Sequence, residues 1–146
     1  MGDPLSIIAS ITAVLQLARC VVKFLSDLRD ASAASNRILV EISSITGLLS
    51  TIEDLAHEAE SGEVWLATVA LLNAPNGPLA QFASALTRVR TRLEPIVGLR
   101  RAGRAIVWPL SKGEVTDILG AIERQKTLFI VAMENDHMYF PTNIFF

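Results

Sequence analysis

Residues 1–29 form an N-terminal segment that is apolar most of the way round when it is placed on a helix. Asp3 and Pro4 predict the helix start, since an acidic cap accepts free N–H groups and proline fits the first helical position. Two apolar rows then run side by side: Ile8, Ile11, Leu15, Ala18, Val22, Leu25 and Ile7, Val14, Leu17, Val21, Phe24, Leu28. Only a narrow strip is polar: Thr12, Gln16, Arg19, Lys23, Asp27, Asp30. A helix of this kind is either buried in protein or meets lipid.

The charges within this segment favour burial over a transmembrane span. Its uncharged run covers residues 4–18, which is shorter than the roughly 18–20 residues that a spanning helix needs. Arg19, Lys23 and Asp27 would each cost about 2.5–3.5 kcal/mol at a bilayer centre. The absence of a basic N-terminal region and of a small-residue cleavage site argues against a signal peptide. We therefore expect a cytoplasmic protein with a buried first helix.

The composition predicts one folded domain without a disulfide. The chain has 146 residues, of which 51% are hydrophobic, and few are glycine or proline. Its net charge of −2 argues against nucleic-acid binding. Cys20 is the single cysteine and cannot form an internal disulfide.

Three further long helices follow from apolar spacing. Residues 35–60 carry a regular seam at steps of four and three: Ile38, Ile42, Ile45, Leu49, Ile52, Ala56, Ala59. Residues 78–97 have an apolar face made by Leu79, Phe82, Leu86, Val89, Leu93 and either Ile96 or Val97. Ser111 and Glu114 form a capping box before a last helix, whose apolar residues are Val115, Ile118, Leu119, Ile122, Phe129 and Ala132. Residues 63–72 predict a short helix, so the fold class is an all-α, up-and-down bundle of four long helices plus one short helix.

Charged residues are segregated along the chain. Residues 41–63 hold six acids and no base, whereas residues 88–104 hold six arginines and a single acid, Glu94. One interpretation is two solvated faces of neighbouring helices. The other is a basic patch that meets anionic lipid headgroups or an acidic partner, made of Arg88, Arg92, Arg100, Arg101 and Arg104.

No motif of catalysis or cofactor binding is present in the sequence. Phosphate-binding, dinucleotide-binding, nucleophile-elbow and C-x-x-C patterns are all absent. His57 and His137 do not stand at ligand spacing with each other or with Cys20. We therefore expect a non-enzymatic protein with no catalytic residues, cofactor, metal, small-molecule substrate or nucleic acid.

Two stretches resemble the N-terminal domain of fungal STAND (NLR-like, NACHT-type) receptors. They are DPLSIIASITAVLQLA at residues 3–18 and WPLSKGEVTDILGAIERQKTLFIVAMENDH at residues 108–137. The second stretch contains the signature residues Trp108, Pro109, Glu114, Ile118 and Ile122. The resemblance implies a HeLo-like helical signalling domain over residues 1–137, with residues 138–146 as a short aromatic tail outside it. For Trp108, a hydrophobic staple on the last helix and a partner-binding side chain both stay open.

The resemblance implies a function in fungal non-self recognition (heterokaryon incompatibility) and programmed cell death. The expected role is a cytoplasmic signalling or adaptor domain that associates through its helices with itself or with a full-length STAND receptor. One alternative is a membrane-permeabilising effector that lies at the plasma membrane once activated. In that case the first helix inserts into anionic membranes. The residues predicted to contact either the membrane or a partner are Ile7, Ile8, Ile11, Val14, Leu15, Leu17, Val21 and Phe24. A second alternative is an inert, truncated receptor remnant.

Overall fold

A computed structural model describes residues 4–28, 32–61, 71–104 and 107–137, and the regular structure in these ranges is α-helical. The four helices are α1 (Pro4–Leu28), α2 (Ala33–Ser61), α3 (Pro78–Arg101) and α4 (Lys112–His137). The predicted all-α bundle of four long helices is thus confirmed. The short helix predicted over residues 63–72 falls almost entirely outside the described residues, and the tail 138–146 falls wholly outside them.

The helices stand at the corners of a square in which α2 and α3 are diagonal. α1 packs mainly against α2 and α3, and α4 packs mainly against the same two helices. Asn73 donates a hydrogen bond to Ser6 Oγ at one end of the bundle, and Arg101 pairs with Asp27 at the other end. α3 therefore runs parallel to α1, while α2 and α4 run the opposite way. Because α2 and α3 are diagonal, they are not the neighbours that one interpretation of the charge segregation assumed.

The core is a continuous apolar cluster that all four helices supply. On α2 the predicted seam is buried throughout its described positions: Ile38, Ile42, Ile45, Leu49, Ile52 and Ala56. Between α3 and α4, the rings of Phe82 and Phe129 meet edge to face with centroids 6.2 Å apart, an arrangement that the charge distribution of aromatic rings favours. The α1 side of the core is made by Ile7, Ile11, Val14, Leu15, Ala18, Val21, Leu25 and Leu28.

Local capping defines the helix ends. Ser32 Oγ accepts a hydrogen bond from the Ser35 N–H at 3.1 Å and caps α2. α3 continues through Pro95, which lies on its exposed face, and past the predicted end at Val97. It ends where Gly103 takes a φ of 77° and the Arg104 N–H donates to the Leu99 carbonyl at 3.0 Å. Glycine suits this left-handed position because it has no Cβ.

Candidate functional site

The turn between α3 and α4 is held by a small polar network centred on Arg92. Arg92 extends from α3 and donates to the Glu114 carboxylate and to the Pro109 carbonyl. Ser111 Oγ accepts the Glu114 N–H at 3.1 Å, and Glu114 accepts the Ser111 N–H at 3.1 Å. The capping box predicted from Ser111 and Glu114 is confirmed. We call these four residues the α3–α4 junction.

Glu114 is held in its ionised form by its neighbours. The hydrogen bond from the Ser111 backbone N–H lowers the pKa of Glu114 below its ordinary value of 4.5, and the Arg92 guanidinium lowers it further. Desolvation of the carboxyl group opposes this effect. The junction therefore carries a fixed negative charge at neutral pH, paired with a fixed positive one.

The signature residues of the sequence resemblance meet at this junction and in the core beneath it. Trp108 is half-buried and packs against the core, which fits the hydrophobic-staple interpretation. Its Nε1 is buried and has no hydrogen-bond partner in the described part of the chain. Ile118 and Ile122 are fully buried one and two turns further along α4. The signature residues therefore lie together, at the α3–α4 junction and in the part of the core next to it.

An open groove of about 450 Å³ lies beside the junction. α3 supplies five of its lining residues, and the apolar side chains of Leu110 and Ile118 also line it. Arg88 precedes Arg92 by one helical turn and is exposed, and no salt bridge engages it within the described ranges. Arg88 also lowers the pKa of Glu114 through its charge, so the groove holds two guanidinium groups and the Glu114 carboxylate beside apolar side chains. The lining residues are Ser84, Thr87, Arg88, Thr91, Arg92, Leu110, Glu114 and Ile118.

The five arginines of the predicted basic patch do not share one surface. Arg92 faces α4, whereas Arg101 faces α1, where it lies 3.8 Å from Asp27. These two arginines are nine residues apart, about two and a half turns, so they point to opposite sides of α3. Arg100 and Arg104 are exposed near the end of the helix. Of the five, Arg88 and Arg92 line the same groove.

The residues predicted for membrane insertion or partner contact on α1 are packed inside the bundle. Ile7, Ile11, Val14, Leu15 and Val21 are buried, and the half-buried ones pack against the core: Ile8, Leu17, Phe24. Within the described residues, the exposed large hydrophobic side chains lie outside α1: Val40, Leu71, Val107, Leu128, Val131. The bundle therefore covers the apolar surplus that the sequence of α1 predicts.

α1 is nevertheless long enough and apolar enough to cross a membrane. Ser6–Leu28 has a mean hydropathy of 1.7 over its most apolar window. The whole helix is therefore long and apolar enough for a span, whereas its uncharged run over residues 4–18 alone is too short. One such helix is weak support for a span, because the central helix of a bundle passes the same test.

Sequence reasoning missed three features of the bundle. Thr12 of α1 donates a hydrogen bond to Glu53 of α2 at 2.7 Å. Gln125 is 4% exposed on α4, and its Oε1 lacks a partner among the described residues. Gln125 stands three residues after Ile122 and four before Phe129, so core spacing alone could have located it. The third feature is the exposed apolar pair Leu128 and Val131, one turn apart on α4.

The described ranges contain no group of three or more His, Cys, Asp or Glu side chains that could hold a metal ion. Comparison of the chain with family models, with curated proteins and with solved structures finds no match.

Proposed function

We propose that this chain is a non-enzymatic signalling or adaptor domain of the fungal STAND type, which acts in the cytoplasm by helix-mediated association with itself or with a receptor. The observation that carries the proposal is the α3–α4 junction. The residues that give the sequence its resemblance either build that junction or lie in the core directly under it: Trp108, Pro109, Glu114, Ile118 and Ile122.

Two kinds of surface remain for association once the core has formed. One is the exposed apolar pair Leu128 and Val131 on α4. The other is the pair of oppositely charged surfaces formed by the acidic α2 and the arginine-rich α3. Both are suited to contacts with another protein, because Leu128 and Val131 are exposed and so are Asp54 on α2 and Arg88 on α3.

The size of the protein in solution tests the proposal directly. We expect the average mass from light scattering or sedimentation velocity to rise with protein concentration. A chain that stays monomeric over the whole accessible concentration range, and that also fails to bind a purified full-length STAND receptor, would contradict both forms of the proposal.

The length and composition of α1 favour a second candidate, a membrane-permeabilising effector. Release of α1 from the bundle would expose seven large apolar side chains that are now buried. At about 1.5–3 kcal/mol each, this loss is on the order of 10–20 kcal/mol, which equals or exceeds the free energy of unfolding of an ordinary domain. Insertion of α1 would therefore have to be coupled to unfolding of the whole bundle.

Leakage of dye from anionic vesicles distinguishes the two candidates. Ala13 is exposed on α1, so Ala13→Glu preserves the bundle core but places a carboxylate in the segment that would insert. Ser43→Glu adds the same charge to an exposed position of α2 and is the matched control. The effector candidate requires that the wild type and Ser43→Glu cause leakage while Ala13→Glu does not. Intact vesicles with the wild-type protein would remove this candidate.

A further inference from the structure

The acidic and basic regions of this chain cannot neutralise each other within one molecule. α2 and α3 stand at diagonal corners of the bundle, with α1 and α4 between them. The salt bridges of the described residues join other pairs of helices: Arg92 with Glu114, Arg101 with Asp27, and Lys126 with Glu41. The molecule is therefore electrically polarised across its diagonal.

Each of the two helices also carries exposed charged side chains outside these salt bridges. Asp54 is exposed on α2, in a stretch over residues 38–61 that contains no lysine or arginine. Arg88 is exposed on α3 at the edge of the groove. Opposite charges on opposite sides of a molecule favour contact between copies, because a rotation or translation brings the two faces together.

We propose that the groove beside Arg88 receives the acidic outer face of α2, around Asp54, from a second copy of this chain. This inference rests on the proposed function and assigns the surfaces for self-association. The groove favours a helix over a lipid surface, because it is concave and lined by both hydroxyl-bearing and apolar side chains. A flat anionic membrane needs several arginines on one side, whereas Arg92 and Arg101 face opposite sides of α3.

The geometry makes the contact head to tail. Each copy uses its α3 groove on one side and its α2 face on the other, so both surfaces stay available at the ends of every assembly that does not close into a ring. Growth therefore continues beyond a dimer, to a ring or to an open chain of copies. Each exposed ion pair strengthens association by at most about fivefold, so the assembly forms only at high local concentration.

Salt dependence gives the first test on the full chain. Between about 0.01 M and 1 M salt, the screening length falls from about 30 Å to about 3 Å. We expect sedimentation velocity to show a concentration-dependent ladder of species at low salt and mainly monomer at high salt. Association through Leu128 and Val131 would instead persist or strengthen at high salt, because apolar burial does not depend on screening.

Charge reversal gives the decisive test. Arg88→Glu makes the groove acidic, and Asp54→Lys makes the α2 face basic, so each variant alone should associate roughly five- to tenfold more weakly than the wild type. An equimolar mixture of the two should regain association, because each altered surface then meets its complement on the other variant. Arg124→Glu, an exposed reversal on α4, is the control and should behave like the wild type.

The outcomes separate this inference from the proposed function. If self-association does not change with salt or in either charge-reversal variant, the assigned surfaces are wrong, but the proposal of a self-associating domain stands. A wild type that is monomeric at low salt and high concentration would overturn the inference together with self-association itself. The inference would also be overturned if the wild type is monomeric and binds anionic vesicles while Arg88→Glu does not. The groove would then bind a membrane surface rather than a second copy.

Discussion

The contact between α1 and α2 and the α3–α4 junction are held together by different forces. α1 and α2 meet through long apolar rows, with the Thr12–Glu53 hydrogen bond as a polar link. The junction depends on Arg92, the Pro109 carbonyl and the reciprocal bonds of Ser111 and Glu114. The first contact is held mainly by apolar burial, whereas the second fixes where α4 begins and ties that end to α3.

This difference predicts how each region responds to mutation and solution conditions. Apolar burial is large, insensitive to pH and weakly affected by salt. A partly exposed polar network contributes less and depends on the ionisation of its carboxylate. The four predictions below test this contrast, from the largest expected effect to the smallest.

Leu15→Ala should have the largest effect. Leu15 is 1% exposed in the core, and a Leu→Ala substitution at such a site lowers the free energy of unfolding by roughly 2–5 kcal/mol. Urea unfolding followed by circular dichroism measures this loss. Gln16→Ala, at the next and exposed position, should stay within about 0.5 kcal/mol of the wild type. Equal effects of the two substitutions would mean that α1 is not part of a packed core.

Ser111→Ala removes the capping hydroxyl of the junction and should have a smaller effect. The Glu114 N–H loses its partner, and the loss of such a cap lowers the free energy of unfolding by about 0.5–2 kcal/mol. Ser111→Thr keeps a hydroxyl and should recover most of the stability. A loss as large as that of Leu15→Ala would show that the junction, rather than the α1 packing, dominates the stability of the bundle.

The stabilisation that comes from Glu114 should depend on pH. Because its pKa in the folded protein is lowered, its contribution is present above pH 4.5 and is lost as the pH falls through that lowered pKa. The difference in unfolding free energy between the wild type and Glu114→Gln should therefore be greatest at neutral pH and should shrink towards zero at acid pH. The deficit of Leu15→Ala, measured alongside, should stay constant, because an apolar side chain binds no proton.

Gly47→Ala and Gly120→Ala should each stabilise the protein slightly. Both glycines are exposed within helices, Gly47 in α2 and Gly120 in α4, and an added Cβ would meet no atom within 4 Å. Alanine should raise the free energy of unfolding by about 0.4–1 kcal/mol at each site. At Gly77 an added Cβ would lie 2.8 Å from the Ala74 carbonyl oxygen, so Gly77→Ala should destabilise. The same sign at all three sites would contradict the packing described here.

The core positions that apolar spacing predicted on α2 and α4 are buried wherever they are described, because a helix repeats its buried face every three to four residues. For α3 the spacing left Ile96 and Val97 as alternatives, and the structure buries Val97 while Ile96 packs at the core edge. Gln125 was missed because a polar residue at a core position does not contribute to the pattern of apolar residues. The capping box was predictable because Ser111 and Glu114 are local in sequence, whereas the role of Arg92 was not, because it depends on a contact across 22 residues.

The sequence by itself determined that this chain forms four long helices, and which face of α2, α3 and α4 is buried, because both properties depend on local spacing and capping. Only the tertiary structure decided that α2 and α3 are diagonal and that the arginines are divided between α1, α4 and solvent. Local patterns do not specify which helices become neighbours, since any apolar face can pack against any other. That choice leaves the acidic and basic faces on opposite sides of the molecule.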